Sequence, residues 1–184
     1  IMFSYERNPY DKSVIERLFD SNFINKCIAN SSIYGFEVDN NWEKALENPN
    51  FDILHNIAPI KNKKSFKKQV ANTLLPEIKK MVGSDDVTSS GWFIYPPTGY
   101  MGWHTNYKKP CYRLYISYAF EHHKSFFRYL NPETNEIVTD YDDKGITIRK
   151  FFVPEKPPYF WHCVGSNCIR ISLGYRINST GDKN

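Results

Sequence analysis

The chain has 184 residues, with 24 Lys and Arg against 20 Asp and Glu and a formal net charge of +4. That length supports one buried core and not two independent ones. The small positive charge is spread along the chain, which argues against a strongly basic nucleic-acid stripe, and no apolar run approaches the roughly 18 residues of a membrane span.

The first half reads as helical. Val14, Ile15, Leu18 and Phe19, then Phe23, Ile24, Cys27 and Ile28, recur at helical spacing from Asp11 onward, and Ser13 with Glu16 has the form of a capping box. His55 falls in this half and reads as a surface or packing residue. A second amphipathic helix is predicted from about Lys64, with Phe66, Val70, Leu74, Ile78 and Met81 on one stripe; Pro76 should kink or interrupt it, and it should end before Gly83. Lys61, Lys63, Lys64, Lys67 and Lys68 read as its solvated face, so nucleic acid is not the favoured partner.

Beyond Ser89 the pattern changes to short β-rich runs: Trp92 to Tyr95, Arg113 to Phe120, Ser125 to Leu130, Glu136 to Thr139, Ile146 to Val153 and Ile169 to Ile177. Turn-forming clusters separate them, and no long helices are available to cross between parallel strands. The expected fold is mainly β with N-terminal helices, a cupin-like jelly roll or double-stranded β-helix. It forms one domain over 1–184, with a helix-rich flank at 1–88 packed on a core at 89–178. Cys27, Cys111, Cys163 and Cys168 form no C-x-x-C pair and read as reduced thiols. Residues 1–11 lack the layout of a secretory leader, and the expectation is a cytoplasmic protein.

The chemistry concentrates in three places. Gly102-Trp103-His104-Thr105-Asn106 sets His104 and Asn106 two apart, on one face if the segment is extended. His162 follows a proline-rich turn and should enter a later strand. Cys163 beside it would point to the opposite face, which disfavours a Cys–His nucleophile. Arg170 and Ser172 share one face of the final strand, with Ile169, Ile171 and Leu173 on the other. In the strand from Arg113, alternation groups Leu114, Ile116, Tyr118 and Phe120, expected to face inward. Tyr118 and Tyr95 could then donate phenol hydrogen bonds to a ligand. Adjacent His122 and His123 read as loop residues, and Trp92, Trp103 and Trp161 flank the site in sequence.

A His-x-oxygen-donor pair, a distant His and a final Arg-x-Ser resemble the iron(II)- and 2-oxoglutarate-dependent oxygenases, particularly their compact prolyl-hydroxylase-like members. The resemblance covers Trp92 to Ile177. It implies that His104 and His162 bind iron(II), that Arg170 grips the distal carboxylate of 2-oxoglutarate with Ser172 as its hydroxyl companion, and that O2 is the oxidant. On this reading the protein is a dioxygenase that hydroxylates a C–H bond of a small-molecule or peptidyl substrate, releasing succinate and CO2. A buried arginine needs a counter-charge, which a dianionic ligand would supply.

The departure is Asn106, where the family has a carboxylate. It either serves as a neutral third ligand, stands aside for water or an anion, or inactivates the site; Glu121 or Asp140 could substitute for it. The alternative functions are a cupin-like binding module without redox chemistry, or a metal-dependent isomerase or hydrolase on the same barrel.

Overall fold

The computed structural model describes residues 3–33, 38, 40–49, 58–59 and 64–178. In chain order the elements are β1 (Tyr5–Arg7), α1 (Ser13–Leu18), α2 (Ser21–Ala29), α3 (Trp42–Ala45), β2 (Ala58–Pro59) and α4 (Lys64–Val82). There follow β3 (Val87–Tyr95), β4 (Tyr100–His104), β5 (Cys111–Ala119), β6 (Ser125–Leu130), β7 (Ile137–Tyr141), β8 (Gly145–Val153), β9 (His162–Ser166) and β10 (Arg170–Ile177). His55 and Lys61 and Lys63 lie outside the described residues.

The helical segments follow the apolar periodicity, with different ends. Asp20 divides the first pattern in two, because its carboxylate accepts the Phe23 N–H at 2.9 Å and starts a new helix there. The capping box expected at Ser13 does not form: Lys12 is the N-cap, and Asp11 Oδ1 instead accepts the Ser13 N–H at 3.1 Å. Helix α4 runs through Pro76 as one element. Its stripe of Phe66, Val70, Leu74 and Ile78 is buried on both sides of the proline, which holds both halves on the same sheet.

The strands form two antiparallel sheets, a six-stranded one in the order β1-β8-β5-β10-β3-β2 and a four-stranded one in the order β4-β9-β6-β7. Their facing surfaces make the jelly roll. Three apolar layers result. The helices pack Ile15, Phe19, Leu74 and Ile78 against Leu114, Ile116, Ile148, Ile171 and Leu173 on the outer face of the large sheet. Between the sheets lie Tyr95, Phe127, Phe151, Phe160 and Val164, and α3 sets Trp42 and Leu46 on the outside of the small sheet with Phe126 and Cys163. All four cysteines are buried and free.

This layering reverses the expected phase of β5. Its most apolar side, Leu114, Ile116 and Tyr118, faces the helices, where Tyr118 stacks on Phe19 at 6.0 Å between ring centroids. Arg113, Tyr115 and Ser117, on the opposite face by alternation, turn to the space between the sheets. A sheet covered on both sides gives its apolar face to the helices and its polar face to the cavity.

One carboxylate ties the sheets together. Asp142, just past β7, is fully buried; it accepts from Arg149 of β8 at 2.6 Å and from Arg170 of β10 at 2.8 Å, and Ser125 of β6 donates to it. Arg149 also binds Asp140, to which Tyr5 and Arg7 of β1 donate. Burial alone would raise the Asp142 pKa, but Arg170, Arg149 and the Ser125 hydroxyl together hold it well below the usual carboxylate range.

Because folding lowers this pKa, the unfolded chain holds a proton that the native state has released. The stabilisation is therefore complete above the unfolded value of about 3.9 and is lost as pH falls below it. Asp142→Asn leaves two buried guanidinium groups short of a counter-charge, and urea unfolding at pH 7 should show a loss of about 3–5 kcal/mol. The same variant should lose less stability than the parent between pH 5 and pH 3.

Candidate active site

The extended end of β4 and the start of β9 are cross-strand neighbours, with His104 directly opposite His162. Their rings lie 4.2 Å apart between centroids. Each ring is held in the same way: Nδ1 of His104 meets the Gly102 carbonyl at 2.7 Å, and Nδ1 of His162 meets the Phe160 carbonyl at 2.9 Å. A carbonyl can only accept, so both Nδ1 atoms carry a proton, and in the neutral ring this leaves Nε2 with the lone pair, the tautomer a metal needs. His162 is fully buried. Burial, with His104 and Arg113 nearby, pushes its pKa well below the ordinary value, so it is neutral at pH 7.

Asn106 follows in the loop after β4 with φ of 58°, a left-handed conformation that Asn adopts more readily than most residues. The turn brings its amide to 3.3 Å from His162 Nε2 and into hydrogen-bonding contact with Tyr115. Amide oxygen and nitrogen are assigned from the surrounding network, and rotation by half a turn would present the oxygen to the same point. The three sequence-predicted donors thus meet. Their chemistry fits a divalent metal of the iron(II) class: two imidazole nitrogens and one neutral oxygen, with open positions.

Among the described residues no carboxylate joins them. Glu121 lies exposed in the turn after β5, and Asp140 is engaged by Arg149, Tyr5 and Arg7. Among the described residues one group brings three His, Cys, Asp or Glu ligand atoms together, namely His122, His123 and Asp143. It is exposed, and Arg7 also bridges Asp143 at 3.0 Å.

Two chambers meet at the donor set. An inner cavity of about 300 Å³ runs between the sheets past Tyr95, Met101, Tyr115 and Ser172; an outer one of about 730 Å³ opens over Trp103, Tyr107 and Trp161. His104, Asn106 and Arg113 line both. Trp92 instead packs with the helix-side core.

Arg170 lies behind the inner cavity, with its guanidinium carbon 5.5 Å from the centre of the Tyr95 ring. Asp142 and Ser117 occupy Nε and Nη2. The expectation that a ligand must supply its counter-charge is corrected, since Asp142 already does so. Nη1 is buried without a partner among the described residues, a donor atom whose hydrogen bond is unmet. The pairing of Tyr118 with Tyr95 is also corrected: Tyr118 lies on the helix side, and Tyr115 is the phenol that reaches the cavity. Arg113 and Tyr115 were legible as the alternating polar face of β5.

No protein-family model and no curated protein matches the sequence. Among solved structures, the chain is similar to a Pseudomonas putida prolyl-4-hydroxylase, with a TM-score of 0.50 and 14% identity over 96% of this chain and 92% of that one. The shared feature is the fold. Two further similar structures are an oxidoreductase of the 2OG-Fe(II) oxygenase family from Burkholderia pseudomallei (TM-score 0.43, 12% identity, 67% of this chain and 64% of that one) and a Trichoplax adhaerens prolyl hydroxylase. The latter, in complex with a hypoxia inducible factor oxygen degradation domain peptide, has a TM-score of 0.45 and 11% identity over 95% of this chain and 82% of that one. No described helix is long and apolar enough to cross a membrane.

Gly174 of β10 lets β3 approach closely. A Cβ there would stand 2.5 Å from Ser90 Oγ and 3.0 Å from the Gly91 carbonyl, backbone that cannot yield cheaply. Gly174→Ala should therefore destabilise the protein by about 1–3 kcal/mol, read by chemical denaturation.

Proposed function

We propose that the chain is an Fe(II)- and 2-oxoglutarate-dependent dioxygenase that hydroxylates a substrate C–H bond, with succinate and CO2 as co-products. The observation that carries this reading is the junction: two oriented histidines and an amide stand where an inner cavity meets an outer one. His104, His162 and Asn106 would hold iron(II), with Tyr95, Ser172 and Nη1 of Arg170 as the polar partners for 2-oxoglutarate in the inner cavity. When bound, iron(II) with 2-oxoglutarate supplies the activation of O2 and the oxidising power for the C–H bond.

The chain's own residues do the rest. The Gly102 and Phe160 carbonyls fix both imidazoles in orientation and tautomer, so the donors are preorganised. Phe127, Phe151 and Phe160 surround the His162 ring at 5.2–5.5 Å and keep water from its buried side. Trp161 and Tyr107 wall the outer chamber, where a small-molecule or peptidyl substrate would present its C–H bond to the junction. A cytoplasmic setting, which keeps iron ferrous and the four cysteines reduced, suits this chemistry.

The neutral Asn106 favours a second reading, a cupin-like binding module that keeps the fold without redox turnover. Anaerobic titration of the full chain with ferrous iron and then 2-oxoglutarate separates the two. The oxygenase reading expects a weak visible charge-transfer band that His104→Ala abolishes, and succinate formation in air. Absence of iron binding in the parent protein would sink it. Asn106→Asp restores a charged oxygen donor at the same point and should tighten iron binding by at least about tenfold, on the scale of one favourable charge contact.

A further inference from the structure

The outer chamber is lined by Lys108, Lys109, Arg113 and Arg176, with no Asp or Glu among its described lining residues. Arg113 and Arg176 stand directly opposite one another on β5 and β10. Like charges so placed repel, and a protein gains nothing in stability from holding them together. Arg113 is 6% exposed and its Nε has no partner among the described residues; its contacts are one long bond from Nη2 to the Lys109 carbonyl at 3.4 Å and a side-chain bond with the Cys111 thiol, neither of them a carboxylate. Arg176 likewise gives Nη2 to the Ser89 carbonyl at 3.4 Å. The contrast lies inside the same barrel, where Arg149 and Arg170 are each bound to carboxylates at 3.0 Å or less. Burying a guanidinium without a counter-charge is costly, and the cost is removed when an anion enters.

We infer that Arg113 and Arg176 form an anion clamp in the outer chamber, and that the substrate carries a phosphate or carboxylate group seated between them. The inference deepens the dioxygenase reading by naming its substrate class. Two guanidinium forks offer the parallel donors that both anions accept. Lys108 and Lys109, exposed at the rim, add attraction that salt screens. Trp161, partly exposed in the chamber wall, takes the apolar body of the same molecule. Because Arg113 also touches the inner cavity, an anion held there places the adjoining carbon close to His104 and Asn106. The basic residues gather round one chamber of about 730 Å³, which suits a small molecule or a single side chain better than a nucleic-acid backbone.

The test is calorimetric titration of the metal-free full chain with inorganic phosphate and, separately, with acetate. Saturable binding of either is expected, weakened at least about tenfold by Arg113→Ala and by Arg176→Ala and unchanged by Lys124→Gln outside the chamber. Which anion binds more tightly tells a phosphate-bearing substrate from a carboxylate-bearing one. Should an arginine variant fail to fold, as judged by circular dichroism, Lys108→Gln with Lys109→Gln decides, with about a twofold to fivefold weakening expected at low salt. Absence of saturable binding, or binding indifferent to these substitutions, overturns the inference. So does a result in which 2-oxoglutarate alone binds and needs Arg113, since the clamp would then belong to the co-substrate. A ferrous chelate band without anion binding refutes the clamp and leaves the oxygenase standing, whereas anion binding without iron binding does the reverse.

Discussion

The buried carboxylate of Asp142 is the constraint on which the barrel depends. It accepts hydrogen bonds from two strands of the large sheet and one of the small sheet. Two sheets packed by side chains alone can slide, whereas a shared ion with directional bonds fixes their relative position. That position brings the Tyr95 and Ser172 wall of the large sheet to face the histidines of the small one. Ion pairs of this kind seldom add much stability over an apolar core of equal volume. Their effect here is geometric: removing the charge would leave Arg149 and Arg170 stranded, so no alternative packing that separates the three is affordable.

The site itself depends on register. His104 and His162 are neighbours because β4 and β9 pair antiparallel with a bulge between Met101 and His104. A slip of one residue would turn one imidazole to the outside of the small sheet, where Trp103 and Cys163 now pack. The aromatic shell of Phe127, Phe151 and Phe160 then sets a low-dielectric back wall, and the carbonyls at Gly102 and Phe160 choose the tautomer. Position, polarity and ring orientation of the histidine pair are thus set before any ligand arrives.

Much of this was legible in the residues. The switch from helical to alternating periodicity located the two halves, and His104, Asn106 and His162 stood out by residue type, although a left-handed turn after β4, and not strand alternation, carries Asn106 to the histidines. What remained hidden was long-range. Asp142 sits in a turn rich in acidic residues and has no local mark of its partnership with Arg149 and Arg170, which only the closing of the barrel creates. Strands β4 and β9 were short and interrupted by glycine, and β1 carries too few residues to show alternation. The phase of β5 was ambiguous because both faces of its sheet are covered, and apolarity alone does not say which cover is helix and which is cavity. Arg113 then reads as an ordinary strand terminus until Arg176 is seen across from it.

The left-handed backbone at Asn106 reaches beyond the present site. Asparagine and aspartate are the two side chains with an oxygen at the right branch point that tolerate this conformation well. The loop that holds one therefore holds the other, and exchange of a single amide nitrogen for oxygen changes the formal charge of the centre by one without rebuilding any of its framework. In evolutionary terms the charged and neutral forms of this centre are adjacent, and a lineage can pass between them in either direction while the barrel, the histidines and both chambers stay as they are.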